Sequence, residues 1–381
     1  MRSPNKTARI CIVSVGLWVG ALTFAQEQRG RQAGELHDPM PDRFGPALEA
    51  VNGKGGTDIS GPYEVVASWP QPLHTDFRTG RVAGVYAPTP DRVYVATSGE
   101  VPHLYERGWA PESTEKLIPM TGNMTSRGGR WEHILLVFDR NGKLLESWDQ
   151  WNDLIKGPNR ITGNPNDPAH IWVADQSANQ VHKFTNDGTK LVMTLGDKDV
   201  PPAEPRGRFQ DIGFLPNGDM YILGGSRVMK FSKDGTYLLG WGKAGKTAPG
   251  EMSGVHGIAI DAKNHRVYIN DKDNSRIQIF DENGTFLEMW SNILYPMSIR
   301  LTADGQSIWV GDGYAQKFLK FDLTGKLLAS WGTFGSMPGA FWGLHAFDVD
   351  SEGNLYVTED YGGRVQKLRP KPGGNQAQLV R

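Results

Sequence analysis

The chain has 381 residues, and its 41 Lys and Arg residues balance 42 Asp and Glu residues, which gives a formal net charge of -1. This balance argues against a nucleic-acid binder, because such proteins usually carry a basic excess or a basic stripe. The 47 glycines, 24 prolines and 12 tryptophans are typical of a turn-rich β protein with a repeated aromatic residue. By length, two domains or one large propeller or barrel would fit.

Residues 1–25 are predicted to be a secretory signal peptide. Arg2, Lys6 and Arg9 form a basic start, residues 10–24 are uncharged and mostly apolar, and Ala25 ends a small-residue cleavage site. The alternative is a retained membrane anchor, but the apolar core is short for a membrane span. Cleavage would remove the single cysteine, Cys11, and leave a mature protein without disulfides. We therefore expect an exported protein, periplasmic or secreted, with no membrane association after cleavage.

Two further segments are predicted to lie outside the folded domain. Residues 26–60 are polar, rich in Gly and Pro and without sustained periodicity, which predicts a flexible leader. Residues 371–381 are rich in Gly, Pro and Gln and are predicted to be a disordered tail. The domain itself is therefore expected at residues 61–370.

A pattern of four short apolar strands joined by turns repeats through residues 61–370. Its marker is a Phe four residues before a turn Gly, followed by an apolar strand that ends in Trp, as in Phe280, Gly284 and Trp290. The turn glycines of successive copies are 41 to 49 residues apart, which is the period of four-stranded propeller blades. Such a sheet cannot bury both faces alone, so copies must stack on one another.

The copy number and the ends of the repeat predict a closed ring. A sixth copy begins at Gly343 but stops at Leu368, before its fourth strand. Residues 63–69, YEVVASW, match the outer strands of other copies, such as LLESW and LLASW. We expect this N-terminal strand to complete the last blade, which removes the exposed sheet edge. The predicted fold is an all-β, six-bladed β-propeller that exists as a monomer.

Two features of the repeat are open to a functional or a structural interpretation. Blade one carries more than thirty extra residues between Ala96 and Ile134, and such a loop either carries binding residues or has no function of its own.

Four carboxylates recur after the second strand of their blades, whereas an active site needs one set of catalytic residues rather than four copies. We interpret them as acceptors of turn hydrogen bonds, some paired with Arg276 or Arg364: Asp175, Asp271, Asp312 and Asp360.

Alignment of the copies predicts which residues surround the mouth of the central channel. One residue from each blade falls there: Ala83, Asn159, Gln210, His256, Met297 and His345. Polar groups that converge on such a channel can bind a small molecule, a peptide or a metal. Neutral imidazoles are good ligands for zinc or copper. Alternatively, the two histidines only hydrogen-bond the backbone where their strands begin.

Site residues follow from this arrangement. We predict His256 and His345 as metal ligands, with His103 or His133 from the blade-one excursion completing a three-histidine set. The predicted substrate-binding residues are Asn159, Gln210, Met297 and Arg300. The histidines at 37, 74, 170, 182 and 265 are expected at the surface.

The motif P-x-G-I-x-h-D, then h-Y-V-x-D, then S/N-R-I-Q-h-F, resembles the NHL repeat, most closely at residues 254–284. Within the NHL propellers, the chain is similar to the peptidyl-alpha-hydroxyglycine alpha-amidating lyases. That resemblance implies a zinc ion held by three histidines on alternate blades, a calcium ion, a catalytic tyrosine and an arginine that acts on the substrate. His256, in VHGI, and His345, in LHAF, match two of the zinc ligands.

The chain departs from the lyase pattern at several positions. Asn159 occupies the position of the third histidine, and Ala346 that of a calcium-binding Asp. No tyrosine follows the blade-three segment that corresponds to the catalytic one; an Asp-Gly-Tyr ending at Tyr314 lies in blade five instead. Arg107, in HLYERGW, corresponds loosely to the substrate-acting arginine.

Two functions are expected from these features. The first, which the sequence favours, is an exported metal-assisted lyase or hydrolase acting on a small molecule or peptide at the channel mouth. Its cofactor would be zinc or another divalent metal, with calcium as an alternative, and Arg107 and Tyr314 would be its catalytic residues. The second is a non-catalytic NHL scaffold that binds a peptide, glycan or protein partner on one face of the ring.

Overall fold

The computed structural model describes residues 59–67, 69–74, 77–102, 130–201 and 207–381. The predicted signal peptide and nearly all of the predicted leader lie outside these ranges. Regular structure in the described ranges consists of β-strands and short 3₁₀ turns. None of the helical segments described is long and apolar enough to cross a membrane.

The strands follow one another with short connections. In chain order they are β1 Tyr63–Val65, β2 Phe77–Thr79, β3 Val82–Thr89, β4 Arg92–Thr97, β5 Glu100–Pro102, β6 Leu135–Phe138, β7 Leu144–Ser147, β8 Pro158–Asn164, β9 Asp167–Asp175, β10 Gln180–Thr185, β11 Leu191–Gly196, β12 Phe209–Phe214, β13 Met220–Gly224, β14 Arg227–Phe231, β15 Tyr237–Trp241, β16 Lys243–Ala244, β17 Glu251–Met252, β18 Val255–Asp261, β19 Arg266–Asp271, β20 Arg276–Phe280, β21 Phe286–Trp290, β22 Pro296–Leu301, β23 Ser307–Asp312, β24 Lys317–Asp322, β25 Leu327–Trp331, β26 Leu344–Val349, β27 Leu355–Glu359 and β28 Arg364–Pro370. The 3₁₀ turns are Asp149–Trp151, Asp197–Asp199, Lys272–Asn274 and Gln376–Gln378.

Six four-stranded antiparallel sheets form the blades, which confirms the predicted propeller. Blade one is β3, β4, β6 and β7; blades two to five are β8–β11, β12–β15, β18–β21 and β22–β25; blade six is β26–β28 with β1. The first strand of each blade is innermost and contacts the first strand of the next blade around the channel. Strand β26 contacts β3, so the ring is closed.

The N-terminal strand completes the last blade, as the repeat predicts. Strand β1 pairs antiparallel with β28, with Tyr63 opposite Pro370 and Val65 opposite Leu368. The first and last strands of the domain are therefore held in one sheet by backbone hydrogen bonds, and neither leaves a free edge at the junction.

The repeated Phe, Gly and Trp positions form the contacts between blades. The turn glycine of one blade lies on the indole of the preceding blade, so that a Cβ on Gly325 would lie 2.5 Å from the ring of Trp290. Gly325 also has a φ of +81°, which side-chain-bearing residues rarely adopt. The marker pattern therefore has a packing cause: only glycine lets the indole close the gap between blades.

The C-terminal segment differs from its prediction. Residues 371–381 were expected to form a disordered tail, but Leu379 and Val380 are buried against Tyr63 and Trp331. The Tyr63 hydroxyl donates to the carbonyl of Val380 at 3.2 Å and accepts from its backbone N–H at 2.9 Å. Two buried apolar residues and these hydrogen bonds thus dock the segment on the last blade.

A two-stranded ribbon outside the repeat joins blade one to blade six. Strands β2 and β5 pair antiparallel, with Phe77 opposite Pro102. The Thr79 hydroxyl donates to the carbonyl of Gly363 at 2.9 Å, which attaches the ribbon to the β27–β28 turn. A second short pair, β16 with β17, is parallel and precedes blade four.

Candidate functional site

The inner strands bring five of the six predicted mouth residues together, whereas Ala83 does not line the resulting cavity. A cavity of about 280 Å³ at the end of the channel, the channel-mouth cavity, is lined by residues that include Asn159, Gln210, His256, Met297 and His345. Each of these five side chains lies near the beginning of the first strand of its blade. The repeat therefore positions them, because equivalent residues of successive blades occupy equivalent places around the axis.

His256 and His345 face each other across this cavity, with ring centroids 4.7 Å apart and planes at 85°. Nδ1 of His256 lies 2.8 Å from the carbonyl oxygen of Met297, and Nδ1 of His345 lies 2.6 Å from that of Ala83. Because a carbonyl oxygen only accepts, both Nδ1 atoms carry the proton and both Nε2 atoms present a lone pair. These hydrogen bonds agree with the interpretation that the two histidines bond the backbone where their strands begin. They leave the Nε2 atom of each ring without a backbone partner.

Burial lowers the pKa of both imidazoles well below its usual value. For His256 the neighbouring His345 and Lys272 add to this effect, and for His345 the Arg81 guanidinium does so. Both rings are therefore neutral near pH 7. The Nε2 atom of His256 has no hydrogen-bond partner among the described residues, whereas that of His345 does.

Arg81 occupies the space between His345 and Asn159. Its Nη2 atom lies 3.0 Å from Nε2 of His345 and 3.1 Å from Oδ1 of Asn159. Its Nε atom lies 2.7 Å from Oδ1 of Asp360. Burial raises the pKa of Asp360, although the charge of Arg81 opposes this. The Nη1 atom of Arg81 also donates to the carbonyl of Pro158 at 3.3 Å. The guanidinium is thus a fixed positive charge at the channel mouth, held by three neutral acceptors and one carboxylate.

The lyase resemblance implies that these histidines bind a metal ion, and the residues around them show whether such an ion would fit. Arg81 donates to the lone pair of His345 that a metal would use, and to Asn159, which replaces the third histidine. A divalent cation there would displace the guanidinium or suffer its repulsion. In this arrangement the pair does not fit a shared metal ion, and metal binding by His256 and His345 stays a prediction.

The opposite wall of the cavity combines a lysine with two tyrosines. Lys272 Nζ lies 2.9 Å from the hydroxyl of Tyr295, whose ring stacks on Tyr314 at 4.0 Å and 5°. Burial opposes the charge of Lys272, but Tyr295 and Asp273 together hold its pKa above the usual value. Burial also raises the pKa of Tyr295. This wall therefore presents an ammonium group and a protonated phenol.

The remaining predicted site residues have different positions. Tyr314 lines the cavity and is 54% exposed. Arg300 is absent from the lining residues of this cavity and pairs with Asp348 instead. His103 and Arg107 lie outside the described residues. Their predicted roles remain predictions.

Sequence reasoning missed Arg81, Lys272 and Asp360 as cavity residues. The predicted structural role holds for three of the four recurrent carboxylates; for example, Asp312 accepts from the backbone N–H groups of Leu294 and Ala315. In blade six the neighbouring Glu359 takes that role, because it accepts from Trp342 N–H and from Arg364. Asp360 is the next residue, at the position that Lys272 occupies after the second strand of blade four, and it lines the channel-mouth cavity.

His133 does not contribute to the channel-mouth cavity. It lies beside Glu100 and His74, with Glu100 Oε1 at 3.2 Å from Nδ1 of His133 and at 3.2 Å from Nε2 of His74. We call these three residues the blade-one cluster. Burial disfavours the Glu100 carboxylate, but His133, His74 and Arg130 together hold its pKa below the usual value. His74, predicted as a surface residue, belongs to this cluster and is only partly exposed.

The fold and the channel mouth define a class, a six-bladed β-propeller with a polar, cationic axial pocket. No protein-family model matches the chain. Over 203 residues it is 30% identical to NHL repeat-containing protein 3 from Homo sapiens, a match that covers 48% of this chain and 57% of that protein. Over 153 residues it is 31% identical to the probable peptidyl-alpha-hydroxyglycine alpha-amidating lyase from Caenorhabditis elegans, covering 38% of this chain and 42% of that protein.

The chain thus has homologues at modest identity among NHL repeat proteins and amidating lyases, as its motifs predict. It spans about half the length of these curated relatives. Among solved structures, a luciferin-regenerating enzyme superimposes with a TM-score of 0.50 at 12% identity, covering 80% of this chain and 93% of that one. At that identity the similarity concerns the fold alone.

Proposed function

We propose that this protein is an exported lyase that cleaves an N-acyl-α-hydroxyglycine, such as a peptide with that residue at its C-terminus, at the channel mouth. One observation carries the proposal: a neutral imidazole with an unoccupied Nε2 atom, on His256, shares a cavity with Lys272 and Arg81. A carboxylate-bearing substrate suits the cations, and the free nitrogen suits a general base. The similarity to an amidating lyase supports the choice of substrate class.

The reaction can be written with this chain's own residues. Nε2 of His256 takes the proton of the α-hydroxyl group, the C–O bond becomes a carbonyl, and the C–N bond breaks. The proton then passes to the leaving amide nitrogen, so that the products are an amide and glyoxylate. The Lys272 ammonium binds the substrate carboxylate, and Arg81 fixes the His345 ring beside it.

Glyoxylate release from an N-acyl-α-hydroxyglycine tests this proposal. We expect His256→Ala to lower kcat by about 100-fold or more, as is typical for loss of a general base. Lys272→Met should mainly raise KM, because it removes an ionic contact that the substrate and the transition state share. His265→Ala is the matched control, since this side chain is 75% exposed and lies outside the cavity.

The alternative is a binding scaffold without catalysis. It is favoured by the exposed rings of Tyr314 and Tyr361, which line the same cavity and are 54% and 56% exposed. Isothermal titration with the same compound, or with its stable amide analogue, separates the two. Binding that Lys272→Met weakens, without glyoxylate release by the wild type, would replace the lyase proposal with the scaffold. Neither binding nor release would refute the lyase proposal.

A further inference from the structure

A second site lies outside the channel mouth, on segments that do not belong to the repeat. His74 precedes β2, Glu100 begins β5, and His133 precedes β6. Their ring and carboxylate atoms converge: Nε2 of His74 and Nδ1 of His133 each lie 3.2 Å from the same oxygen of Glu100. We propose that the blade-one cluster is a binding site for one divalent transition-metal ion, with zinc as the best match to its donor set.

Without an ion, the three donor atoms have only the two N···O contacts of 3.2 Å among themselves. Nε2 of His74, Oε1 of Glu100 and Nδ1 of His133 are all buried atoms, and none of them makes a hydrogen bond of acceptable geometry within the described structure. Glu100 is 0% exposed. Buried polar atoms are nearly always paired, so three that face one another indicate a missing common partner.

Their spacing matches that of metal ligands. Zinc binds imidazole nitrogen and carboxylate oxygen at about 2.0–2.2 Å, so two ligands of a tetrahedral site are about 3.3–3.5 Å apart. The two distances of 3.2 Å are close to this value, and all three donor atoms lie within 4.8 Å of one another. Two imidazoles with one carboxylate form a donor set that suits zinc and other first-row divalent metals.

The surrounding residues hold the donors in place. The second oxygen of Glu100 lies 2.6 Å from Nη2 of Arg130, and the backbones of these two residues exchange hydrogen bonds of 2.9 and 2.8 Å. Such a partner orients a ligating carboxylate from behind. His133 has a φ of 56°, and its carbonyl accepts from the Thr97 hydroxyl at 2.8 Å.

The cluster is connected to the channel mouth through the backbone. Gly80 N–H donates to the carbonyl of Gly99 at 2.7 Å, and Ser98 N–H donates to that of Arg81 at 2.7 Å. A metal at the cluster therefore ties the β2–β5 ribbon to blade one directly beside Arg81. Three protein ligands also leave a fourth position for water, and a cavity of about 680 Å³ borders His133.

Metal titration of the purified mature chain tests this site without reference to turnover. After dialysis against a chelator, Co²⁺ should bind at one ion per chain with a visible d–d absorption band, and Zn²⁺ should displace it. A metal concentration of about 100 times Kd should raise Tm by about 4 °C. His74→Ala, Glu100→Gln and His133→Ala should each weaken binding by about 100-fold or more, beyond the 10-fold to 100-fold effect of second-shell changes.

Two control variants separate this site from others. His265→Ala removes an exposed histidine that pairs with Glu282 at 3.0 Å, and it should leave metal binding unchanged. A His256→Ala/His345→Ala double variant should do the same. Wild-type protein that binds neither Co²⁺ nor Zn²⁺ would overturn the proposal, as would binding that survives Glu100→Gln but is lost in the double variant. Should Glu100→Gln fail to fold by circular dichroism, His74→Ala decides, since its side chain is 38% exposed.

Discussion

Replacing Arg81 by methionine should destabilise the protein strongly although the side-chain length is kept. Arg81 pairs with Asp360 at 2.7 Å, and these side chains are only 15% and 19% exposed. Removing one partner of a buried ion pair costs about 3–5 kcal/mol, because the other charge remains buried. The residual solvent contact relieves part of this cost, so we expect a loss of about 2–4 kcal/mol in the free energy of unfolding.

The expected change in melting temperature follows from the size of the domain. At about 2.1 cal/mol/K per residue, a propeller of roughly 300 residues has an unfolding entropy near 0.6 kcal/mol/K, so Tm should fall by about 3–6 °C. Differential scanning calorimetry and urea titration measure both quantities. The matched control is Arg369→Met, which breaks a single contact with Glu64 whose side chains are 63% and 39% exposed. That change should cost less than about 1 kcal/mol.

The deficit of Arg81→Met should shrink as the pH falls from 8 to 5. Burial already raises the pKa of Asp360, and loss of the guanidinium raises it further. A carboxyl group with a higher pKa in the folded than in the unfolded state binds protons more readily when folded, so acid restores stability. The double variant Arg81→Met/Asp360→Asn should recover most of the loss. A double variant as unstable as the single one, or a deficit below about 1 kcal/mol at pH 7.5, would refute the reasoning.

Three further predictions concern the channel mouth and the blade contacts. Because the pKa values of the His256 and His345 imidazoles are lowered in the folded state, the free energy of unfolding should fall below about pH 6.5, by up to about 1.4 kcal/mol per pH unit for each ring. Replacing both by glutamine should remove this pH dependence from urea titrations. Gly325→Ala should lower the free energy of unfolding by about 2–4 kcal/mol, because its Cβ would lie 2.5 Å from Trp290. The control Gly353→Ala has a similar φ but its nearest neighbour is 3.8 Å away, so it should cost only about 1 kcal/mol. Equal losses in calorimetry would contradict the packing argument. Tyr63→Phe should cost about 1–3 kcal/mol by leaving the buried backbone groups of Val380 unpaired, and an unchanged Tm would show that the C-terminal segment does not stabilise blade six.

The blade pattern and the channel-mouth positions follow from the sequence because both are periodic. Most copies place a Phe, a turn glycine and a tryptophan at fixed offsets, with Leu195 in the tryptophan position of blade two, and stacking of copies requires those offsets. Aligning the copies therefore identified Asn159, Gln210, His256, Met297 and His345 as residues of one cavity. The strand that closes the ring was predictable for the same reason, since YEVVASW carries the outer-strand pattern.

Only the tertiary structure decided which charges accompany those residues. Arg81 immediately precedes the first strand of blade one, and Lys272 and Asp360 immediately follow the second strands of blades four and six. These connecting positions carry no apolar period, so the sequence alone does not show that they face the channel. As a result, the guanidinium that faces His345 could be located only once the strands were closed into a ring.

The blade-one cluster was equally beyond the sequence. His74, Glu100 and His133 lie on three segments outside the repeat, and no period relates their positions. Their meeting depends on how the β2–β5 ribbon docks between blades one and six. Periodicity thus determined the scaffold and the ring of mouth residues, because stacking enforces it. The closed ring determined which charges of the connecting loops meet at the channel, and contacts between non-repeating segments determined the second site, because only the folded chain brings these groups together.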